Sequence, residues 1–509
     1  MRTTNKQFLA GVLSVILASS LFFSACIPNP ATPTKAKPSS APMPISTNTS
    51  IPTKIQTPTA TPVPLPQITL QKGDFYFTID GRQSFLFSRN LAGYEPTQYV
   101  RLLQLMKTGG SRLVRLQLDS LGTGITSDGK IDEAWVKNWE EVLDEAAANG
   151  MLVLPVFSGW FDWNNGNPDY GYSTWEANAF NIVNGGPAAD PGELFQSGSV
   201  TQKMWFAWLK TLVERWQARE NIAAWEIFSE VNIATGTTES SGVAFIEQAA
   251  AIIRNADSHR RPITASLADV SEWPSFYRSA AIDFINIHPY PYDVKIDLGR
   301  KVITDAQKML AKYDKPVMIG ESGLNQFLPD DGKRGSGVLL NAHLGFKHAI
   351  WSEMVSGTMN GRSLYWEDSF AIFFPTLSWN YLSKYADLER PAVAFAQDVD
   401  FAGFQPLTVK FPTGTKVWGA AAGNEKMVIG WFRDAGCEPP DWPLQPVISG
   451  QTVNVIVPGS ASEWQIEFYD TGTGTDIIRS TTTIRQGDAL IILLPDFTDD
   501  VAFKMYPGN

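Results

Sequence analysis

The chain has 509 residues, more than one hydrophobic core accommodates, and 44% of them are hydrophobic, so two or three folded units are expected and global disorder is excluded. A formal net charge of −11 and a pI near 5.0 exclude nucleic acid as a partner, because such surfaces need clustered Lys and Arg. The 17 Trp residues offer flat apolar faces that suit both core packing and stacking on sugar rings.

Arg2 and Lys6 precede an uncharged run from Phe8 to Ala25, the pattern of an export signal. Ser24 and Ala25 before Cys26 resemble a bacterial lipoprotein cleavage box, with Phe23 where Leu is usual. The resemblance implies cleavage after residue 25, acylation of Cys26, a lipid bilayer as partner, and display on the extracellular face of a bacterial envelope. Plain secretion is the alternative. Cys437 is the only other cysteine, so acylation of Cys26 leaves no intrachain disulfide. Residues 27–67 are rich in Pro, Thr, Ser and Ala, with no aromatic, glycine or acidic residue, and so cannot bury a core. They are expected to form an extended tether.

From residue 68 to 398, apolar runs that read as strands alternate with helical patterns, the order of a parallel α/β fold. The first barrel strand falls within 75–94, behind a lead-in hairpin. Runs at 112–118, 151–157, 222–228, 262–267, 283–288, 316–321 and 363–368 bring the count to eight. Eight such units predict a (β/α)8 TIM barrel, and no Gly-rich phosphate loop follows the first strand to suggest a dinucleotide fold. The connection from Ser158 to about Gln202 is long and carries Trp160, Trp163, Tyr170 and Trp175. On the active-site face these rings could line a sugar cleft, or they could pack the loop against itself. From 399 to 509 short alternating strands with Gly, Pro and Thr turns predict a small β-sandwich, which could bind glycan or cover the barrel flank. The four histidines, at 259, 288, 343 and 348, lack the spacing of a zinc site, so neither metal nor cofactor is expected; the chain is expected to be monomeric.

Cleaving a glycosidic bond requires an acid for the leaving oxygen and a second carboxylate on the other side of the anomeric carbon. Glu230 ends the fourth strand segment (WEIFSE) and Glu321 ends the seventh (VMIGE), which places both at carboxyl-terminal strand ends, where barrels put their chemistry. Glu226 shares a strand face with Glu230 but lies lower, and reads as a buried interior group.

The stretch 221–232 resembles the acid/base segment of clan A glycoside hydrolases, and 319–323 resembles their nucleophile segment. Together with Arg115, His288, Tyr290 and Trp366, the similarity is to the family five cellulase and mannanase group. It implies a retaining β-glycosidase with Glu230 as acid/base and Glu321 as nucleophile. By the same resemblance Arg115 orients the nucleophile, His288 and Tyr290 hydrogen-bond around the carboxylates, and Trp366 forms a sugar platform. Trp160 and Trp163 are further substrate-binding candidates. Ser229 departs from the Asn that the family places before its acid/base. Either a neighbour takes over that contact, or the preferred sugar differs at its 2-position. The implied substrate is a β-glycan of mannan, glucan or xylan type; a surface glycan binder without turnover and a transglycosylase are the alternatives.

Overall fold

The computed structural model describes residues 68–92, 96–120, 122–165, 175–268, 273–291, 293, 295–323, 342–361 and 375–508. The expected anchor with Cys26, the tether, Tyr170, Trp366 and the strand expected at 363–368 lie outside the described residues. The described chain opens on an antiparallel lead-in of β1 (Ile68–Thr69), β2 (Phe77–Ile79) and β3 (Arg82–Ser84).

Strands and helices then alternate. In chain order they are β4 (Leu86–Leu91), α1 (Pro96–Gly109), β5 (Leu113–Gln117), α2 (Glu133–Ala148), β6 (Leu152–Gly159), α3 (Val200–Trp216), β7 (Trp225–Ser229) and α4 (Glu239–Ala256). They continue as β8 (Ile263–Thr264), α5 (Pro274–Arg278), β9 (Ile285–Ile287), α6 (Leu298–Lys312), β10 (Val317–Ile319), α7 (Ala342–Met354), β11 (Asn360–Gly361) and α8 (Pro375–Ala396).

Strands β11, β4, β5, β6, β7 and β8 form a parallel sheet in that spatial order, and β9 and β10 form a parallel pair. Local contacts link the two groups. Ser266 bridges to Asn286 beside β8 and β9, and Met359 N donates to Val317 O at 2.9 Å between β10 and β11. The architecture is TIM-barrel-like, with helices covering a parallel sheet. That double coverage explains the apolar runs: every residue of β5 and β6 is buried. The ladders of β8, β9 and β10 are shorter than the apolar runs that contain them. Beyond β8, for instance, Ser266 N donates to Phe228 O and Ser266 O accepts from Val231 N on the β7 side, while toward β9 only the single bridge to Asn286 forms.

Helix α2 shows how the sequence sets its own boundaries. Asp132 caps it by accepting from Ala134 N and Trp135 N, while Trp135, Val136, Trp139, Val142, Leu143 and Ala146 form the buried stripe. Gly150 ends it at φ 70°, a left-handed conformation that costs glycine little.

The C-terminal region is a nine-stranded antiparallel sheet comprising β12 (Gln405–Leu407), β13 (Val409–Lys410), β14 (Val417–Gly423), β15 (Val428–Asp434), β16 (Thr452–Ile456), β17 (Glu463–Tyr469), β18 (Ile477–Gln486), β19 (Ala489–Leu493) and β20 (Asp500–Pro507). Its spatial order is β12-β14-β15-β20-β17-β18-β19-β16-β13. Only Thr408 separates the two edge strands in sequence, so the sheet curls into a nearly closed barrel or sandwich around Phe432, Val453, Trp464, Phe468, Leu490 and Phe503. A second core joins this unit to the barrel: Trp351, Phe395, Phe401 and Phe404 pack with Ala420, Ile429, Trp431 and Tyr469. Lys347 on α7 adds a buried ion pair to Asp499 (2.7 Å) and Asp500 (2.5 Å).

Candidate active site

Three residues of β5 and its extension, Arg115, Gln117 and Asp119, share one parity and climb from the sheet interior toward the rim. Arg115 is fully buried, and all five of its N–H donors are used. Nε donates to Glu226 Oε2 at 2.6 Å and Nη2 to Glu226 Oε1 at 2.8 Å, a two-pronged pair. Nη1 reaches Asn90 Oδ1 and Glu321 Oε1, each at 2.7 Å, and Nη2 also reaches Ser229 Oγ at 2.9 Å. Glu226 lies lower on β7 with no exposure and accepts a further bond from Ser266 Oγ at 3.0 Å. It fixes the guanidinium that points at Glu321.

Glu230 directly follows β7 with φ 57° and ψ 49°, a left-handed conformation that costs a non-glycine residue on the order of 1–3 kcal/mol. Its backbone N–H is tied to Ser266 Oγ at 3.0 Å, which helps to hold the turn. Its Oε1 meets His288 Nδ1 at 2.7 Å. On the other side, Glu321 stands two residues beyond β10. A side chain at the intervening Gly320 would place Cβ 2.1 Å from Asn286 Oδ1, so the buried Asn286 amide packs into the space that glycine leaves there.

The two oxygens of Glu321 have different surroundings. Oε1 is within reach of three donors: Arg115 Nη1, Gln117 Nε2 at 3.1 Å, and Ser229 Oγ at 3.5 Å. Oε2 accepts from the Tyr290 hydroxyl at 3.1 Å and lies 3.7 Å from His288 Nδ1. One carboxylate oxygen of Glu230, one of Glu321 and a His288 ring nitrogen all lie within 4.8 Å of one another.

These surroundings split the two acids. Burial raises Glu230 above the usual carboxylate range, and the negative charge of Glu321 adds to the rise, outweighing the opposing contact with His288. Burial acts on Glu321 in the same sense, but the His288 ring, the Arg115 guanidinium and the Tyr290 hydroxyl outweigh it and hold Glu321 below that range. One buried carboxyl thus keeps its proton more readily than the other, the division of labour that acid-assisted displacement needs. Asp119 is pushed well up, first by burial and then by the nearby charge of Asp162.

The structure brings together Arg115, Ser229, Glu230, His288, Tyr290 and Glu321. Trp160 starts a short 3-10 helix at the carboxyl end of β6, stacked on Phe161 with ring centroids 3.9 Å apart. Trp163 is buried. It is 1% exposed and lies against Trp175 (5.8 Å) and Phe180 (5.0 Å), so this ring packs the long connection against itself because the loop has to supply its own core. Sequence reading missed Gln117, Asn90 and Ser266. The two-residue spacing from Arg115 was a usable signal for Gln117; nothing local marked the other two. Among the described residues, His348, Cys437 and Asp499 also gather potential ligand atoms within 4.8 Å. Lys347 already provides a cation there, and burial pushes the Cys437 thiol up to about 12, so the group is a packed junction between barrel and module.

A parallel TIM-barrel-like sheet with two facing carboxylates at its carboxyl-terminal rim defines the class, a glycoside hydrolase. Residues 80–354, over half of the chain, match the family model described as cellulase (glycosyl hydrolase family 5), and the chain belongs to that family. The chain is similar to a rice (Oryza sativa subsp. japonica) protein named mannan endo-1,4-beta-mannosidase 3, with 25% identity over 193 residues, 33% of this chain. That match spans 40% of the rice protein's length. Among solved structures, a family 5 glycoside hydrolase from Bacteroides vulgatus superposes with a TM-score of 0.57 at 12% identity, covering 86% of this chain and 93% of the other. A second structure, titled glycoside hydrolase, gives 0.56 at 12% identity over 87% and 97%. Both show the shared fold, including the part that follows the barrel.

Proposed function

We propose that this protein is a retaining β-glycosidase that hydrolyses a β-linked glycan of mannan or glucan type by double displacement. The observation that carries the reading is the pairing of Glu230 and Glu321: one carboxylate oxygen of each lies within 4.8 Å of the other, and their acidities are driven in opposite directions. Retention operates with carboxyl groups roughly 5–5.5 Å apart, whereas inversion needs roughly 6.5–9.5 Å to admit a water molecule.

In this mechanism Glu321 attacks the anomeric carbon through Oε2, the oxygen less encumbered by donors, while Glu230 gives its proton to the departing oxygen. The C1–O bond to the leaving group breaks as the C1–Oε2 bond forms. Esterification removes the negative charge of Glu321 and with it one cause of the raised pKa of Glu230. Glu230 then takes a proton from water, which attacks C1 and frees the carboxylate. Arg115 and Tyr290 stabilise Glu321 as it regains its charge, and His288 orients Glu230. The mannosidase name of the rice relative supports a mannan-type substrate, with β-glucan and xylan as comparison substrates.

The closure of the two parallel sheets into a complete (β/α)8 barrel belongs to the same proposal, supported by the contacts at Ser266–Asn286 and Met359–Val317. So do the division at about residue 399 and the attachment to an envelope membrane through acylated Cys26. No helix among the described residues is long and apolar enough to cross a membrane. Labelling with a radioactive fatty acid tests the anchor: incorporation that persists in Cys26→Ser rejects it. The enzymatic reading is tested by screening mannan, β-glucan and xylan fragments with wild type and Glu321→Ala. Activity that survives the substitution removes Glu321 as nucleophile. The reading of a catalytically silent glycan binder gains no support from a site that keeps both carboxylates within working distance.

A further inference from the structure

We propose that Gln117 is the residue that reads the 2-hydroxyl of the sugar held against Glu321, and so helps to set which epimer at C2 the enzyme accepts; this rests on the retaining reading above. The attacking oxygen of Glu321 is Oε2. The spectator Oε1 therefore faces the flank of the sugar ring, beside a carbon adjacent to C1. Three side chains surround Oε1, and Arg115 among them is consumed: its five donors are all placed on protein acceptors. Ser229 is short, and its single hydroxyl oxygen already accepts from Arg115 at 2.9 Å and Gln117 at 3.3 Å.

Gln117 is different. Its Nε2 spends its two hydrogens on Glu321 Oε1 at 3.1 Å and Ser229 Oγ at 3.3 Å, which fixes the plane of the amide against the nucleophile. The carbonyl oxygen of the same rigid amide is left as an open acceptor beside the nucleophile. A hydroxyl on the carbon next to C1 has both a proton to donate and an oxygen that gains from a donor. Bonds to the 2-hydroxyl strengthen in the transition state as charge develops at C1, so an amide in this position contributes to rate and not only to binding. Gln117 touches Glu321 as well, and a purely supporting role would change the nucleophile for every substrate alike. A role in reading the 2-hydroxyl changes only those substrates that carry it.

The test compares aryl β-glucoside, aryl β-mannoside and their common 2-deoxy analogue with wild type and Gln117→Leu. Wild type should favour its preferred 2-hydroxy substrate over the 2-deoxy compound by about 100-fold or more in kcat/KM, and Gln117→Leu should shrink that ratio to within about 10-fold. The glucoside-to-mannoside ratio should move toward unity in the same variant. Because Ser229 Oγ lies 3.3 Å from Gln117 Nε2, an amide at 229 occupies the same region, and adding Ser229→Asn to Gln117→Leu should recover most of the ratio. Equal losses on 2-hydroxy and 2-deoxy substrates, leaving the ratio unchanged, would overturn the assignment while leaving the retaining mechanism intact. A folded wild type that cleaves none of the three compounds, nor the oligosaccharides, overturns the glycosidase reading and this inference together.

Discussion

Replacing Arg115 by lysine keeps the charge beneath the nucleophile but removes the geometry. The guanidinium places five N–H donors on Glu226, Asn90, Glu321 and Ser229, whereas an ammonium has three donors and no fixed fork. Lysine therefore leaves at least two of these five bonds unmade. If the two-pronged contact to Glu226 becomes single, one bond between two charged groups worth about 1.5–3 kcal/mol is lost, and loss of the bond to an uncharged acceptor, Asn90 or Ser229, adds about 0.5–1.5 kcal/mol. A combined loss of about 2–4 kcal/mol, taken in the transition state, lowers kcat/KM by about thirty- to a thousand-fold. The assay is steady-state hydrolysis of an activated aryl glycoside, with a melting curve to confirm that the variant folds. Arg115→Met serves as the second arm: it leaves two buried carboxylates unpaired and should also shift the acidic limb of the pH profile upward, because Glu321 loses a positive neighbour. Activity of Arg115→Lys within about threefold of wild type would refute the claim that the fork geometry, rather than the charge, is what the nucleophile needs.

The opposite perturbations of the two glutamates predict a bell-shaped pH dependence of kcat/KM. In the proposed mechanism Glu321 acts ionised, so activity is lost as pH falls through its depressed value, and Glu230 acts protonated, so activity is lost as pH rises through its raised value. With a dinitrophenyl leaving group, which needs no proton, the basic limb should flatten, and a limb that stays steep argues against Glu230 as the acid. Glu230→Ala should be rescued by azide on the same substrate to give a glycosyl azide of retained configuration. Trp163→Ala removes the ring that packs the long connection and should speed proteolytic cleavage between 158 and 202 without altering the preference among glycans; a changed preference would place the ring in the cleft after all. Lys347→Met should destabilise the protein by about 3–5 kcal/mol, because it removes the ammonium shared by Asp499 and Asp500 and leaves them only His348, Trp431 and Thr471 as side-chain partners, and an unchanged denaturation midpoint would show that this ion pair contributes little.

Much of the barrel could be read from the pattern of its segments. A strand buried on both faces must be apolar throughout, and a covering helix must carry a stripe at 3.6-residue spacing, so β5, β6 and α2 were visible as local sequence. Glu230 and Glu321 could be located for the same reason, as carboxylates stranded at the ends of apolar runs. The last strand was harder: the expected run at 363–368 lies outside the described residues, and the pairing partner of β4 is the two-residue β11, whose Asn360 and Gly361 look like a turn. Trp163 shows the limit of composition. An aromatic in a long loop reads the same whether it meets a sugar or its own loop, and only its neighbours Trp175 and Phe180 distinguish the two.

The sequence by itself determined where the apolar runs lie and which carboxylates close them, because hydrophobic periodicity is a local property of the chain. The segments around Glu230 and Glu321 carried the resemblance to the family, which the match over residues 80–354 bears out. Only the tertiary structure decided what surrounds them. Gln117 and Ser229 are 112 residues apart and Arg115 and Glu321 are 206 apart, so no local pattern encodes their contacts. The unequal acidities of Glu230 and Glu321 arise from burial and from charges brought within a few ångströms by packing, and the two oxygens of Glu321 become different only once four separate strand ends converge.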